Sequence, residues 1–195
     1  MWILKPIWKE NIVFSWKNFE IIQQEYKVWN KIKLFEIAKR APWVRLIILD
    51  KINNKILLTK EYRTELECFD YRLPWWKVFD TPKERKEADY SKLEEYAKNA
   101  WVKECLEETG LIAKNIKLFW ISTAGATVDW TLYYYIIDDF EISKTWQELE
   151  TWEVITVAWY SFDDLIILCK DWKIKEDRSL WMIFKFLLNN GNIRL

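Results

Sequence analysis

The stretch EYAKNAWVKECLEETGL, from Glu95 to Leu111, decides how the whole chain is interpreted. It predicts the most regular helix of the chain, extending from about Ser91 to Thr109. Ser91 is suited to the N-cap, and Glu94, three residues later, completes a capping box. Gly110 is suited to end the helix, because glycine readily adopts the left-handed conformation that follows a last helical turn. The chain therefore has one central helix with clear ends.

Three glutamates on this helix suggest metal binding. Glu104, Glu107 and Glu108 are spaced i, i+3 and i+4, so their carboxylates share one face. Like charges at this spacing repel one another, and a divalent cation would remove that repulsion. Carboxylate oxygens suit Mg²⁺ or Mn²⁺. By itself, however, the triplet is weak evidence, because glutamate clusters on exposed, solvated helix faces are common.

Composition excludes several classes of function. The chain has 30 basic and 30 acidic residues, so neither nucleic acid nor an anionic membrane is favoured as a partner. It has no histidine, which excludes histidine-dependent catalytic triads and leaves oxygen ligands for any metal. Its three cysteines are odd in number and far apart, so we expect a cytoplasmic protein without disulfides. No apolar run approaches the roughly 18 residues of a membrane helix, and no signal peptide is evident.

Glycine is scarce and tryptophan abundant. The chain has 3 Gly and 15 Trp, whereas average usage of about 7% would give roughly 14 Gly. Many tryptophans stand where turns favour glycine, namely Trp16, Trp29, Trp75, Trp76, Trp130, Trp152 and Trp172. One hypothesis is that these are UGA codons translated as tryptophan, from an organism that reads UGA as glycine. The alternative is a protein truly rich in tryptophan, and Trp159 fits an apolar strand as itself.

The remaining pattern predicts an α+β fold. Residues 12–40 alternate like a β-meander, and residues 45–50 and 55–63 read as two buried strands joined by a hairpin. Strands are also predicted at residues 116–123, 131–140 and 153–161, and closing helices at 161–170 and 177–190. The segment from Thr81 to Asp89 is charged and is interpreted as solvated. Strands, helix, strands and helices in this order indicate a mixed sheet covered by helices.

The central helix closely resembles the second half of the Nudix box. The family pattern is Gly-x5-Glu-x7-Arg-Glu-U-x-Glu-Glu-x-Gly-U, where U is apolar, and the chain matches it from Glu95 through Gly110 and Leu111. Lys103 replaces the usual arginine; it keeps the charge but loses the bidentate fork. Upstream, LPWWKV resembles the Leu-Pro-Gly-Gly-Lys-Val that opens the box, if Trp75 and Trp76 are glycines. The chain departs in length there, since 18 residues separate Trp76 from Glu95 instead of five.

A second resemblance concerns the ADP-ribose pyrophosphatase subfamily. The strand ending at Arg63, the loop at residues 122–131 and the last strand and helices are similar to it. Residues 1–42 resemble the N-terminal β-extension that exchanges between subunits in dimers of that subfamily. The resemblance implies a Nudix-type α/β/α sandwich at residues 43–195, a homodimer, and hydrolysis of ADP-ribose to AMP and ribose 5-phosphate.

The resemblance also implies roles for individual residues. Glu104, Glu107 and Glu108 would hold Mg²⁺ or Mn²⁺ against the diphosphate, with Glu108 as the first choice if one ligand dominates. The backbone carbonyl of Trp76 would be a further ligand. Glu95 and Lys103 would orient the ligands, and Gly110 would end the helix.

A general base is expected in the acidic loop before the last strand. Glu153 is favoured over Glu148 and Glu150, and the alternative is an ordinary polar loop. Arg63 would bind the diphosphate or terminal ribose, with a surface ion pair as the alternative. Arg40 would reach the partner subunit's site. Cys105 occupies an apolar position of the box and is expected in the core rather than as a nucleophile.

Two other functions stay open at this point. The Nudix box is shared by hydrolases of nucleoside triphosphates, dinucleoside polyphosphates and dinucleotide cofactors such as NADH. The chain could also be a Nudix-fold binding module without catalysis. Intact Glu104, Glu107 and Glu108 argue against that module, whereas real tryptophans at positions 75 and 76 favour it, because bulky side chains would block close backbone approach.

Overall fold

The computed structural model describes residues 5–125, 127–149 and 154–191, apart from the side chains of Pro82, Lys103 and Glu104. Eleven strands and four α-helices lie within these residues. The strands are β1 (Lys5–Pro6), β2 (Asn11–Ser15), β3 (Phe19–Val28), β4 (Lys31–Arg40), β5 (Trp43–Asp50), β6 (Lys55–Arg63), β7 (Cys68–Arg72), β8 (Trp75–Lys77), β9 (Leu111–Gly125), β10 (Val128–Ile142) and β11 (Ile155–Ser161). The helices are α1 (Pro82–Glu87), α2 (Leu93–Thr109), α3 (Phe162–Lys170) and α4 (Asp177–Asn189). A short 3₁₀ helix, Tyr90–Lys92, precedes α2.

The described residues fall into two compact units. The first unit comprises the described parts of Met1–Val44, Lys77–Ala100 and Ile121–Tyr133. The second comprises those of Arg45–Trp76, Trp101–Trp120 and Tyr134–Leu195. No helix in the part of the chain that the structure describes has the length and apolar content to cross a membrane.

The first unit contains the predicted β-meander. Strands β2, β3 and β4 are antiparallel neighbours, and β1 pairs with β3. The start of β10 pairs with β4 in parallel, with Val128 opposite Ala38. Parallel and antiparallel pairs together make the sheet mixed, as the sequence predicted.

Two strands of the meander expose apolar side chains. Every residue of β2 is exposed, and so are the first six residues of β4. The large apolar side chains among them are Ile12, Val13, Phe14, Ile32, Leu34 and Phe35. The pairing register places Phe14, Ile32 and Leu34 on one face of the meander and Ile12 and Phe35 on the other.

The second unit is built on the β5–β6 hairpin. Asp50 lies opposite Lys55 at its turn, which confirms the predicted connection. Strand β6 also pairs with β7 and with β11, both antiparallel. The interior is aliphatic and includes Leu46, Ile47, Ile48, Leu57 and Leu58, each at most 1% exposed. Burial of such side chains supplies the main driving force for this unit.

The structure adds one helix to the prediction and corrects one cap. The segment interpreted as solvated contains α1, where Thr81 is the N-cap and Pro82 stands at the start. The central helix begins at Leu93, and Asp89 is the capping residue, because its side chain accepts from the Ser91 backbone N–H. Aspartate and serine both favour the N-cap position. Because the 3₁₀ turn precedes α2, Asp89 takes the N-cap position ahead of Ser91.

The closing helices confirm the prediction, with one difference at a cap. Ser161 and Asp164 form a capping box at the start of α3. The N-cap of α4 is Glu176, whose side chain makes no capping hydrogen bond. Its carboxylate is instead paired with Arg45.

Candidate active site

The second half of α2, from Trp101, lies in the second unit and carries the predicted metal ligands. Glu107 and Glu108 are half-buried on the last turn of this helix. Glu104 lies one turn earlier, and its side chain, like that of Lys103, is outside the described atoms. Glu95 is exposed and lies in the first unit.

The other face of the same helix is core. Cys105 is fully buried, and Thr109 donates a hydrogen bond back to its carbonyl. Burial raises the pKa of the Cys105 thiol to about 11, although a side-chain hydrogen bond with Thr109 opposes this. A thiol with this pKa is protonated at neutral pH and is a poor nucleophile. The helix thus divides into a packed face and a face that carries glutamates.

The donors on the glutamate face fit a hard divalent ion. Glu107 and Glu108 supply carboxylate oxygens, the atoms that Mg²⁺ and Mn²⁺ prefer. Partial burial strengthens their attraction for a cation relative to water. Among the described side chains, no three His, Cys, Asp or Glu residues gather closely enough to form a metal site. Glu104 and Glu153, which the sequence assigns to the site, are not among those side chains.

A loop closes the end of this helix. The last carbonyls of an α-helix have no partner within the helix. Here the Glu148 backbone N–H donates to the Glu107 carbonyl at 2.9 Å, and the Gln147 side-chain amide donates to the Glu108 carbonyl. The Ser143 N–H donates to the Gly110 carbonyl at 2.8 Å. We call residues 143–149 the helix-end loop.

Gly110 allows this close contact. Its φ is +69°, in the left-handed region, as predicted for a helix end. A Cβ at this position would lie 3.1 Å from the Trp146 backbone carbonyl carbon. The helix-end loop therefore rests directly on Gly110. It leads to Glu150–Glu153, so the favoured base, Glu153, lies outside the described residues.

Position 76 belongs to the short strand β8, in the second unit. The Leu46 N–H donates to the Pro74 carbonyl at 3.0 Å and holds the preceding turn in place. The Trp76 ring is 4% exposed. Its indole N–H, like that of buried Trp101, has no hydrogen-bond acceptor among the described residues. A buried donor without a partner costs about 1–3 kcal/mol. A smaller residue without an indole N–H would avoid that cost at both positions.

Arg63 lies in ion pairs with carboxylates of its own chain. Its guanidinium contacts Glu61 at 2.9 Å and Glu65 at 2.8 Å. Burial lowers the pKa of Arg63, but these two carboxylates outweigh it, and the result is a raised pKa. The surface ion pair that the sequence left open is therefore present. A substrate phosphate would compete with these carboxylates.

Arg40 is positioned by aromatic rings in the first unit. Its guanidinium lies 4.7 Å from the Trp43 ring centroid and 4.3 Å from that of Trp130. Its backbone carbonyl accepts from Arg85 at 2.7 Å. Arg40 also lines a small cleft with Lys17 and Lys77, so basic groups gather there within one chain.

Sequence reasoning missed the hydrogen bond from Gln147 to the end of α2. A lone glutamine in a polar loop gives no signal in one sequence, because its partner, Glu108, is 39 residues away. Only a general rule pointed to such a hydrogen bond, namely that the carbonyls at the end of a helix need donors.

Comparison with known proteins agrees with this architecture. A search of curated proteins found no match. Among solved structures, the chain is similar to one described as the crystal structure of an ADP compounds hydrolase, with a TM-score of 0.71 and 14% identity. The match covers 99% of this chain and 98% of that one, and at this identity it shows the fold alone. The family model described as NUDIX domain matches residues 39–181. That range is more than half of the chain and contains all of α2, the helix that carries the glutamates, so the chain belongs to the Nudix family.

Proposed function

We propose that this Nudix hydrolase cleaves the diphosphate of a nucleoside diphosphate linked to another group, with ADP-ribose as the preferred substrate and AMP and ribose 5-phosphate as products. The observation that carries the proposal is the half-buried pair Glu107 and Glu108 on α2, within a box that matches the family from Glu95 to Gly110. The similar structure described as an ADP compounds hydrolase supports a substrate that contains ADP.

The metal site is proposed on the glutamate face of α2. Glu104, Glu107 and Glu108 would hold Mg²⁺ or Mn²⁺, and the backbone carbonyl of Trp76 would complete the set. When bound, such an ion offsets charge on the diphosphate and lowers the pKa of a coordinated water. Glu95 and Lys103 would orient the glutamates.

Proton transfer and substrate binding are assigned to three further residues. Glu153 would accept the proton of the attacking water. Arg63 would exchange its contacts with Glu61 and Glu65 for the substrate diphosphate, a stronger and doubly charged partner. Arg40 would contribute from the partner subunit, as the subfamily resemblance implies.

We further propose that the chain is a homodimer joined through its N-terminal extension, residues 1–42, with residues 43–195 as the catalytic domain. The exposed apolar residues of β2 and β4 support this, because a second copy would cover them. Sedimentation equilibrium should give twice the chain mass. Phe14→Glu with Leu34→Glu should give the monomer, and a monomeric parent chain would refute the proposal.

The assay should use a chain in which glycine replaces buried Trp101 and the tryptophans at predicted turn positions, Trp16, Trp29, Trp75, Trp76, Trp130, Trp152 and Trp172, here called the glycine-restored chain. Bulky residues in the box turn would hinder approach of the diphosphate to the backbone. ADP-ribose, a nucleoside triphosphate, a dinucleoside polyphosphate and NADH should be compared at equal concentration with Mg²⁺. We expect the highest kcat/KM for ADP-ribose. A tenfold preference for a triphosphate would refute the substrate assignment and leave the Nudix hydrolase.

A non-catalytic binding module is the second candidate, and a real tryptophan at position 76 would favour it, because its side chain would hinder approach of the diphosphate to the backbone. Calorimetry separates the two functions. The chain with Trp75 and Trp76 retained would bind ADP-ribose without turnover if it is a binding module. Turnover by that chain would exclude this candidate.

A further inference from the structure

The helix-end loop closes the turn of α2 that carries two proposed metal ligands. Helix ends fray when their terminal carbonyls lack donors, because water then competes for them. Glu107 and Glu108 lie on this turn, and each of their own carbonyls accepts from the loop. The position of both carboxylates is therefore tied to the loop.

We propose that Gln147 is a positioning residue that sets the geometry of the metal-binding glutamates. Its amide nitrogen donates to the Glu108 carbonyl, and among the described contacts no other side chain from outside the helix donates to the carbonyls of its last turn. Gln147 is itself half-buried, so water replaces this hydrogen bond poorly. This inference rests on the proposed function.

Mn²⁺ binding tests the role directly, without need of a substrate. Gln147→Ala removes the donor, and Gln147→Glu places a carboxylate against the Glu108 carbonyl. In the glycine-restored chain we expect Gln147→Ala to bind Mn²⁺ about tenfold more weakly, the equivalent of one lost hydrogen bond, and Gln147→Glu more weakly still. Gln23→Ala is the matched control, since Gln23 donates to Glu36 on the meander at 2.9 Å, and it should bind Mn²⁺ like the parent.

The outcomes separate this inference from the function on which it rests. A Gln147→Ala protein that melts earlier but binds Mn²⁺ with unchanged affinity would show a merely structural contact and refute the positioning role. A parent chain that binds no Mn²⁺ would refute the proposed metal site, and the inference with it.

A separate observation concerns backbone conformation. Five described residues other than glycine have positive φ, namely Trp29 (60°), Asn54 (52°), Glu67 (50°), Trp146 (59°) and Trp172 (55°). Left-handed backbone is tolerated by glycine and, through local hydrogen bonds, by asparagine, but it strains residues with bulky side chains. That three of the five are tryptophan is therefore unexpected.

Trp172 stands at a helix end that requires this conformation. After α3, the Lys173 N–H donates to the Leu168 carbonyl and the Trp172 N–H to the Cys169 carbonyl. These two bonds define a Schellman motif, in which the left-handed residue is usually glycine. After α4 the corresponding position is Gly191, with a φ of 70°. The chain thus uses glycine at one of two equivalent helix ends and tryptophan at the other.

Trp29 and Trp146 occupy comparable places. Val28 pairs with Lys31, so Trp29 is the first residue of a two-residue hairpin turn, where positive φ is favoured by the strand twist. Trp146 lies in the helix-end loop, against Gly110. Rings of Trp29 and Trp172 are each 76% exposed, so burial offsets little of the strain.

We infer that Trp29, Trp146 and Trp172 are glycine in the protein as its own cells make it. The inference extends the codon hypothesis to Trp146, which no turn pattern had indicated. Trp159 is the internal contrast. It lies in the extended strand β11 and stacks on Phe140 with ring centroids 5.5 Å apart, as a true tryptophan would.

Stability and mass test the inference independently. Trp29→Gly, Trp146→Gly and Trp172→Gly should each raise Tm by about 2–4 °C, because strain is released in a chain of this size. Trp159→Gly, the control, should lower Tm. Peptides of the protein purified from its own cells should carry glycine at all three positions. Tryptophan in those peptides, or a lower Tm in all three variants, would overturn the inference.

Discussion

Substitution of Glu176 by glutamine removes the carboxylate of a buried ion pair with Arg45 in the second unit, together with a more exposed contact to Arg178 at 2.8 Å. Arg45 is 0% exposed and Glu176 is 9% exposed. The Arg45 guanidinium contacts the Glu176 carboxylate, and Ser179 joins both, accepting from Arg45 at 3.0 Å and donating to Glu176 at 2.7 Å. Glutamine keeps the volume and an acceptor but leaves the Arg45 charge buried without a counter-ion.

The expected cost follows from this burial. Removal of one partner from a buried pair destabilises by about 3–5 kcal/mol, and for a chain of this length Tm falls about 2–4 °C per kcal/mol. We therefore expect Glu176→Gln to lower Tm by roughly 6–20 °C. Lys83 and Glu87 form an exposed pair at 3.8 Å on α1, with side chains 81% and 66% exposed. Glu87→Gln is the matched control and should cost about 0–1 kcal/mol.

Urea unfolding measures these differences in unfolding free energy. A double-mutant cycle separates the interaction between Arg45 and Glu176 from the effects of the single substitutions. Arg45→Met together with Glu176→Gln should cost less than the sum of the single changes by about 2 kcal/mol, because no unpaired charge is then buried. The slope of the unfolding free energy against urea concentration should be the same in all variants. Single changes that add within about 0.5 kcal/mol would refute the reasoning.

The same pair predicts a dependence on pH. Burial raises the pKa of Glu176, but Arg45 and the Ser179 hydrogen bond outweigh it and hold that pKa below its ordinary value. The folded state thus favours the charged carboxylate, and the stabilisation is complete above the unfolded pKa of about 4.3. It is lost as pH falls through the folded pKa. The difference in unfolding free energy between the parent and Glu176→Gln should therefore shrink in acid, and a constant difference would contradict this.

Three further predictions concern the glutamate helix and its surroundings. In the glycine-restored chain, Glu107→Gln and Glu108→Gln should each lower kcat at least about 100-fold without loss of folding, and chelator should abolish hydrolysis; full activity in both variants would move the metal site elsewhere. Arg63→Ala should raise KM more than it lowers kcat, as expected for lost ground-state binding, and an unchanged KM in steady-state assays would leave Arg63 as an ion pair alone. Cys105 should resist iodoacetamide at pH 8 in the folded protein, because its thiol pKa is about 11, and rapid alkylation seen by mass spectrometry would contradict its burial.

Local signals in the sequence determined most secondary structure and the identity of the glutamate face. Alternation with a period of two predicted the meander, and the run Glu95–Leu111 predicted the helix, its end at Gly110 and the shared face of Glu104, Glu107 and Glu108. These features depend on neighbours within a few residues, which one sequence displays. Choices between close alternatives were harder to predict, as the cap by Asp89 instead of Ser91 shows.

The tertiary structure decided the contacts that join distant segments. Arg45, which precedes the apolar run of β5, pairs with Glu176, which is 131 residues away. Gln147 closes the end of α2, and the loop around it places Trp146 at a positive φ of 59°. Such pairings depend on which backbone groups are left without partners once the chain is folded. No local pattern records that, because the unsatisfied carbonyl and the donor that meets it lie in different parts of the sequence.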